Sequence, residues 1–137
     1  MNAPLIPFSL PILSYDVSVD SNGKRKTVKK ESSYECFLDN SVASELRWET
    51  YFPEQKKNLG DFDVYVKSLK NNGKGLGDLL SMLKAVYCII DFGENKVSFK
   101  DFASMFSFSD KQYAEKLVGS ISEIFELAYP QEKKQSF

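Results

Sequence analysis

The chain has 137 residues, and its 42% apolar and 27% charged content is typical of one globular domain and excludes a wholly disordered chain. Its 18 basic and 19 acidic residues nearly cancel, which argues against double-stranded nucleic acid as the main ligand. The sequence has no run of about 18 apolar residues and therefore predicts no membrane-spanning helix.

Residues 1–13 are predicted to form an extended arm. Pro4, Pro7 and Pro11 lie among apolar residues, and prolines at this density are incompatible with a helix. We expect the arm to pack on a neighbouring subunit or on the chain's own core. The segment lacks the basic residues of a signal peptide, so a cytoplasmic protein is expected.

Residues 14–38 are predicted to form a β-hairpin. The segment Tyr15–Val19 alternates apolar and polar residues, and Asn22-Gly23 favours a type I′ turn between the strands. Basic residues beside the turn are interpreted as solvated charges that protect a strand edge, with binding of nucleic acid or an acidic partner as the alternative. These residues are Lys24, Arg25, Lys26, Lys29 and Lys30.

The remainder of the chain is predicted to be helical, with about five helices. They are expected near residues 42–51, 59–70, 79–92, 98–106 and 110–129. Ser98 and Asp101 are expected to form a capping box for the fourth helix, and Ser109-Asp110 is expected to cap the fifth. The predicted fold class is therefore mostly α. A compact helical domain at 14–130 includes the hairpin at 14–38 and precedes a flexible tail at 131–137.

No residue pattern in the chain predicts an enzyme. The sequence contains no histidine, the commonest general base and a frequent zinc ligand. The glycine-rich residues 72–77 lack the order of a phosphate-binding loop, and 91–102 lacks the carboxylates of an EF-hand. Cys36 and Cys88 lie far apart, which favours buried free thiols over a disulfide. The sequence predicts no catalytic, cofactor-binding or metal-binding residue.

Aromatic residues make up 14% of the chain, which is enough to line an interface as well as a core. Seven side chains are candidates for partner binding, together with the arm. They are Trp48, Tyr51, Phe52, Tyr113, Leu117, Ile121 and Phe125. Placement of the same side chains in the core is the alternative, and the sequence alone leaves both open.

Four runs between Tyr34 and Leu69 form a further pattern. They are Phe37-Leu38-Asp39-Asn40-Ser41, Glu45-Leu46-Arg47-Trp48-Glu49, Tyr51-Phe52-Pro53-Glu54 and Asp61-Phe62-Asp63-Val64-Tyr65. A helix that ends in an Arg-Trp-Glu and Phe-Pro run precedes a helical remainder. This arrangement resembles the tail assembly chaperones of long-tailed, siphovirus-type bacteriophages over roughly 35 residues.

The resemblance implies a protein that is not an enzyme, needs no cofactor and acts in the host cytoplasm during virion morphogenesis. Such chaperones coat the tape measure protein, keep it soluble and support polymerisation of the tail tube, so the major tail protein is a further implied partner. They form homo-oligomers and are absent from the mature virion. A tape measure protein is a long amphipathic helix, which suits repeated apolar grooves on an oligomer.

Two other functions are open at this stage. The chain could be a structural part of the virion, such as a tail-completion or head–tail connector protein. Alternatively, it could be a small regulatory protein that binds nucleic acid through the basic turn of the hairpin.

Overall fold

The structure is a computed structural model that describes residues 5–72 and 79–128 and, within them, the side chains of all but residues 70–72. The tail predicted at 131–137 and most of the glycine-rich segment at 72–77 lie outside the described residues.

Two long strands form an N-terminal hairpin. Strand β1 spans Leu5–Val19 and strand β2 spans Arg25–Asp39, with Leu5 opposite Asp39 and Val19 opposite Arg25. The two-residue strand β3, Ile90–Asp91, pairs antiparallel with the end of β2, so the sheet order is β1-β2-β3.

The prediction of a type I′ turn in the hairpin is wrong. Residues 21–23 form a three-residue loop closed by hydrogen bonds between Asp20 and Lys24, and Gly23 has a φ of 78°. The Asp20 carboxylate accepts the backbone N–H groups of Asn22 and Lys24 at 2.9 and 2.8 Å. The hydrogen bonds accepted by Asp20 favour an unprimed β-turn that is followed by a glycine in the left-handed conformation.

The described residues also form six helices. They are α1 Ala43–Tyr51, α2 Pro53–Leu59, α3 Phe62–Asn72, α4 Leu79–Ile89, α5 Phe99–Ala103 and α6 Lys111–Ala128. Helix α2 was not predicted. Pro53 ends α1 and also begins α2. A proline is tolerated at the first position of a helix because the N–H group of that residue has no partner within the helix. The N-caps at Ser98 and Asp110 are confirmed, since Ser98 Oγ accepts from the Asp101 N–H and Asp110 Oδ1 accepts from the Tyr113 N–H.

The fold is α+β, and the predicted mostly α class is wrong. The difference arises at residues 5–13, which belong to β1 and pair with β2 instead of forming an unpaired arm. Pro7 and Pro11 are tolerated because β1 is an edge strand, where one row of N–H groups needs no strand partner.

One hydrophobic core lies between the inner end of the hairpin and the helices. Leu10 and Leu38 from the sheet pack with almost the whole of α4 and with one face of α6. Cys36 and Cys88 are buried free thiols, as predicted, and burial raises their pKa values to about 11 and about 12.

Arg47 on α1 connects the sheet to the helices. One guanidinium nitrogen lies 2.9 Å from Asp39 Oδ2 at the end of β2, and the other donates to the Cys88 carbonyl at 2.8 Å near the end of α4. Burial opposes ionisation of Asp39, but hydrogen bonds from Ser41 and Arg47 outweigh it and hold the pKa of this carboxyl below its usual range.

Trp48, the next residue, lies on the inner side of the same helix. Its side chain is 0% exposed, it stacks on Tyr65 at 5.3 Å between ring centroids, and its indole N–H donates to the Gly60 carbonyl at 3.1 Å. Gly60 has a φ of 91°, which favours glycine, and ends α2. Arg47 and Trp48 together therefore fix α1 against the sheet, α3 and α4.

We predict that Arg47→Met lowers the free energy of unfolding at pH 7 by about 2–3 kcal/mol, because it leaves the buried Asp39 carboxylate without its cation. Urea denaturation measures the loss. The same substitution at Arg25, which is exposed, is the control and should change stability by less than about 0.5 kcal/mol.

The loss in Arg47→Met should depend on pH. Because the folded pKa of Asp39 is lowered, the unfolded chain takes up this proton first as the pH falls. The stabilisation is complete above the ordinary value of 3.8 and is lost as the pH falls through the lower, folded value. A difference between wild type and variant that does not shrink as the pH is lowered below 3.8 would contradict the assignment.

Candidate interaction surfaces

Five of the seven predicted partner-binding residues lie inside the chain's own core. They are Trp48, Tyr113, Leu117, Ile121 and Phe125, each no more than 4% exposed. Tyr51 is 36% exposed, and Phe52 is partly buried against the aromatic ring of Tyr87. A partner could therefore touch the five core residues only if the core opened.

The longest run of exposed residues in the described part of the chain is the outer half of the hairpin, residues 14–33, which we call the ribbon. Every residue of the ribbon is exposed, on both faces of the two strands. The pairing nevertheless continues from Ser14 opposite Lys30 to Val19 opposite Arg25. An isolated two-stranded hairpin is at best marginally stable in water, so a ribbon of this length is suited to contact another molecule.

One face of the ribbon carries apolar side chains from β1 and mainly basic side chains from β2. Tyr15, Val17 and Val19 lie on one face and are 46%, 63% and 63% exposed. The strand register places Lys29, Thr27 and Arg25 directly opposite these three residues on that face. The ribbon contains five basic and three acidic residues, whereas the rest of the chain contains 13 basic and 16 acidic residues.

Contacts with helix α6 hold the base of the ribbon. Lys29 Nζ lies 2.6 Å from Asp110 Oδ2, and Lys116 Nζ lies 3.0 Å from Glu31 Oε1. The Tyr113 hydroxyl donates to the Pro11 carbonyl at 2.8 Å. The hydrogen bond between Lys29 and Asp110 raises the pKa of the lysine and lowers that of the carboxyl. The base is fixed, whereas the turn end of the ribbon touches no helix through a hydrogen bond or ion pair among the described residues.

A second exposed surface is the outer face of α1, which comprises Leu46 and Glu49 together with Val42 just before the helix. Leu46 lies nearly opposite the buried Trp48 on the helix, and Glu49 lies one turn from Leu46 at the side. Val42 and Leu46 are 72% and 64% exposed, the largest fractions among the described apolar side chains that are exposed. The face is therefore apolar with an acidic margin.

A third surface is an apolar groove of about 460 Å³ between the start of α4 and the first half of α6. Leu79, Phe108, Ala114 and Val118 line it, and Lys111 and Glu115 also border it. The groove-lining residues of α6 alternate with its core-facing residues, so the helix contacts the core on one face and forms the groove on another.

A smaller cavity of about 130 Å³ lies near Arg47, Tyr51, Asp91 and Lys96. Lys96 donates to the Tyr51 hydroxyl at 2.8 Å and lies 4.1 Å from the centre of the Tyr51 ring. Arg47 binds Asp39 and the Cys88 carbonyl. Arg47 and Lys96 already make these contacts within the chain. The cavity is therefore a consequence of the packing around α1.

Comparisons with protein families, with curated proteins and with solved structures find no match for this chain. Within residues 5–72 and 79–128, no three histidine, cysteine, aspartate or glutamate side chains are grouped so that they could hold a metal ion. No helix in the same part of the chain is long and apolar enough to cross a membrane.

Sequence reasoning placed the ribbon in a hairpin but did not identify its exposure. The alternation in Tyr15–Val19 is typical of a half-buried strand, and nothing in the residues shows that no other element covers it. A signal was present in the returning strand, where residues 24–33 contain no large apolar residue except Val28. A strand with a core on one face would carry several.

We predict that Val17→Thr and Val19→Thr each change the free energy of unfolding by less than about 0.5 kcal/mol, because both side chains are exposed and threonine retains β-propensity. Val66→Thr, in the core, is the matched control and should cost about 1–2 kcal/mol, since it buries a hydroxyl. Thermal and urea denaturation provide the comparison. Equal losses at positions 17 and 66 would mean that the ribbon is covered within one chain.

Proposed function

We propose that the chain is a phage tail assembly chaperone, which binds the tape measure protein as an oligomer and keeps it soluble before the tail tube encloses it. The protein acts by binding and has no catalytic role. Its place of action is the host cytoplasm, and it does not remain in the mature virion. The resemblance of the segment from Tyr34 to Leu69 supports the identity of the partner.

The observation that carries the binding mode is the apolar groove between α4 and α6. A partner in the form of an amphipathic helix buries its apolar face in such a groove through side chains spaced three and four residues apart. Lys111 and Glu115 at its border suit the mixed charges on the polar side of a helix.

An extended helical partner is covered only if several copies bind along it. One groove accommodates a few side chains, whereas repeated grooves on linked copies gain affinity through effective concentration without new kinds of contact. The exposed ribbon supports this part of the proposal, because it offers a surface for contact between copies that is separate from the groove.

We predict that co-expression with the tape measure protein of the same gene cluster raises the soluble fraction of that protein severalfold. Val118→Lys should abolish most of this gain, because it places an ammonium group in the apolar groove. Val64→Lys is the matched control, since Val64 is 53% exposed on α3 and does not line the groove. Soluble tape measure protein is measured by quantitative gel analysis after centrifugation.

Failure of the wild-type chain to increase the soluble fraction would overturn the chaperone assignment. An equal loss in both lysine variants, with both folded by circular dichroism, would place the binding surface outside the groove. Detection of the chain in purified phage particles would favour a structural virion component instead.

A further inference from the structure

The positive charge of the ribbon is concentrated in one short stretch. Five of the seven residues from 24 to 30 are basic, and none is acidic. They are Lys24, Arg25, Lys26, Lys29 and Lys30, which we call the basic row. The other 130 residues contain 13 basic and 19 acidic residues. The near-zero net charge of the whole chain therefore hides a separation between the basic row and an acidic remainder.

Most of the basic row has no partner within the chain. Lys29 Nζ pairs with Asp110 at 2.6 Å. The other four side chains of the basic row are exposed, and they form no ion pair, hydrogen bond or ring contact with the described residues. Because the fold does not use these four cations, they are available to an anion from another molecule.

The carboxylates of the ribbon oppose this charge only weakly. The Asp20 carboxylate accepts two backbone N–H groups of the turn, and Glu31 pairs with Lys116 at 3.0 Å. Asp16, opposite Val28, has neither kind of partner among the described residues. Asp16 is therefore the one carboxylate of the ribbon that is left to repel an anion.

The backbone of β2 adds hydrogen-bond donors along the same edge. The Asp20 N–H donates to the Lys24 carbonyl at 3.0 Å, and bonded and non-bonded pairs alternate along an antiparallel ladder. Arg25, Thr27 and Lys29 therefore direct their N–H groups away from β1. Strand β3 covers only the far end of β2, so in the described part of the chain no strand covers this edge. Phosphate oxygens accept hydrogen bonds from backbone N–H groups and threonine hydroxyls as well as from Lys and Arg.

The length of the basic row favours nucleic acid over an acidic protein. Seven residues of an extended strand cover about 20 Å. Double-stranded DNA carries about one charge per 1.7 Å of its axis, so phosphates can face the whole row at once. An acidic protein would have to hold a matching line of carboxylates.

The shape of the ribbon favours a duplex over a single strand. The major groove of DNA admits a two-stranded β-ribbon. Proteins that hold a single strand stack successive bases on aromatic side chains, whereas Tyr15 is the only aromatic residue of the ribbon.

We infer that the ribbon binds double-stranded DNA, with its turn end in the major groove and the basic row against the phosphates of one strand. This activity goes beyond the proposed function, because it uses β2 and not the groove between α4 and α6. The phosphate contacts carry no sequence information, so binding is independent of sequence. With four available cations, the slope of log K against log salt is about −3 to −4.

Fluorescence anisotropy of the purified full-length chain with a labelled duplex of about 20 base pairs tests the inference. Between about 50 and 200 mM salt, the affinity of the wild type should fall by about two orders of magnitude. The row variant combines Lys24→Gln, Lys26→Gln and Lys30→Gln. It should bind at least tenfold more weakly at the lower salt concentration, with a slope near about −1, because only Arg25 remains available.

Asp16→Asn should bind the duplex severalfold more tightly, because it removes a repulsive charge from the face that carries Lys26 and Lys30. A variant that fails to fold cannot produce this gain. The matched control for the row variant combines Lys57→Gln, Lys67→Gln and Lys100→Gln. It removes the same number of exposed lysines outside the ribbon and should bind as the wild type does.

Three results would overturn the inference. They are no binding of the duplex by the wild type at about 50 mM salt, equal weakening in the row variant and its control, and binding of poly-glutamate or single-stranded DNA at least as tightly as the duplex. The first result would leave the lysines as protection of a strand edge, and preference for poly-glutamate would indicate an acidic protein partner. The assay contains no tape measure protein, so its failure leaves the solubility test of the proposed function unaffected.

Discussion

The guanidinium of Arg47 joins the end of β2, helix α1 and the end of α4 through Asp39 and the Cys88 carbonyl. The position of α1, and of the elements that pack on it, depends on this contact. Because α1 is held with its inner face against the core, Trp48 reaches Tyr65 and Gly60, and α3 is fixed in turn. The opposite face of α1, with Val42 and Leu46, is then directed away from the core. The aromatic residues around Tyr87 fill the space on the other side of Arg47.

The Arg-Trp-Glu run that carries the family resemblance therefore has a structural role in two of its three positions. Arg47 and Trp48 support the fold, and Glu49 lies on the exposed face of α1. The surfaces that we propose for partner contact lie where the core does not extend: on the ribbon, on the outer face of α1 and in the groove between α4 and α6. A single core therefore leaves these surfaces of the small chain exposed.

Local patterns in the sequence predicted much of the secondary structure, including the caps at Ser98 and Asp110 and the limits of α1 and α4 within a few residues. Three features depended on contacts that the sequence does not display. Residues 5–13 are a strand because β2 pairs with them, although prolines suggested an unpaired arm. Trp48 is core because α3 covers it, and the stripe of α6 is core because the sheet and α4 cover it. The ribbon is exposed because its length exceeds the part of the sheet that the helices cover.

Hydroxyl-radical footprinting of the chain, alone at low concentration and mixed with the proposed partner, the tape measure protein, tests the central claim most directly. That claim is that binding uses the surfaces outside the core. In the free chain, Tyr15 and Leu46 should react readily and Trp48 and Phe125 should not. In the complex, Tyr15, Leu46 and Phe108 should become protected, with Trp48 and Phe125 unchanged. Strong reaction of Trp48 in the free chain, followed by its protection in the complex, would contradict the account.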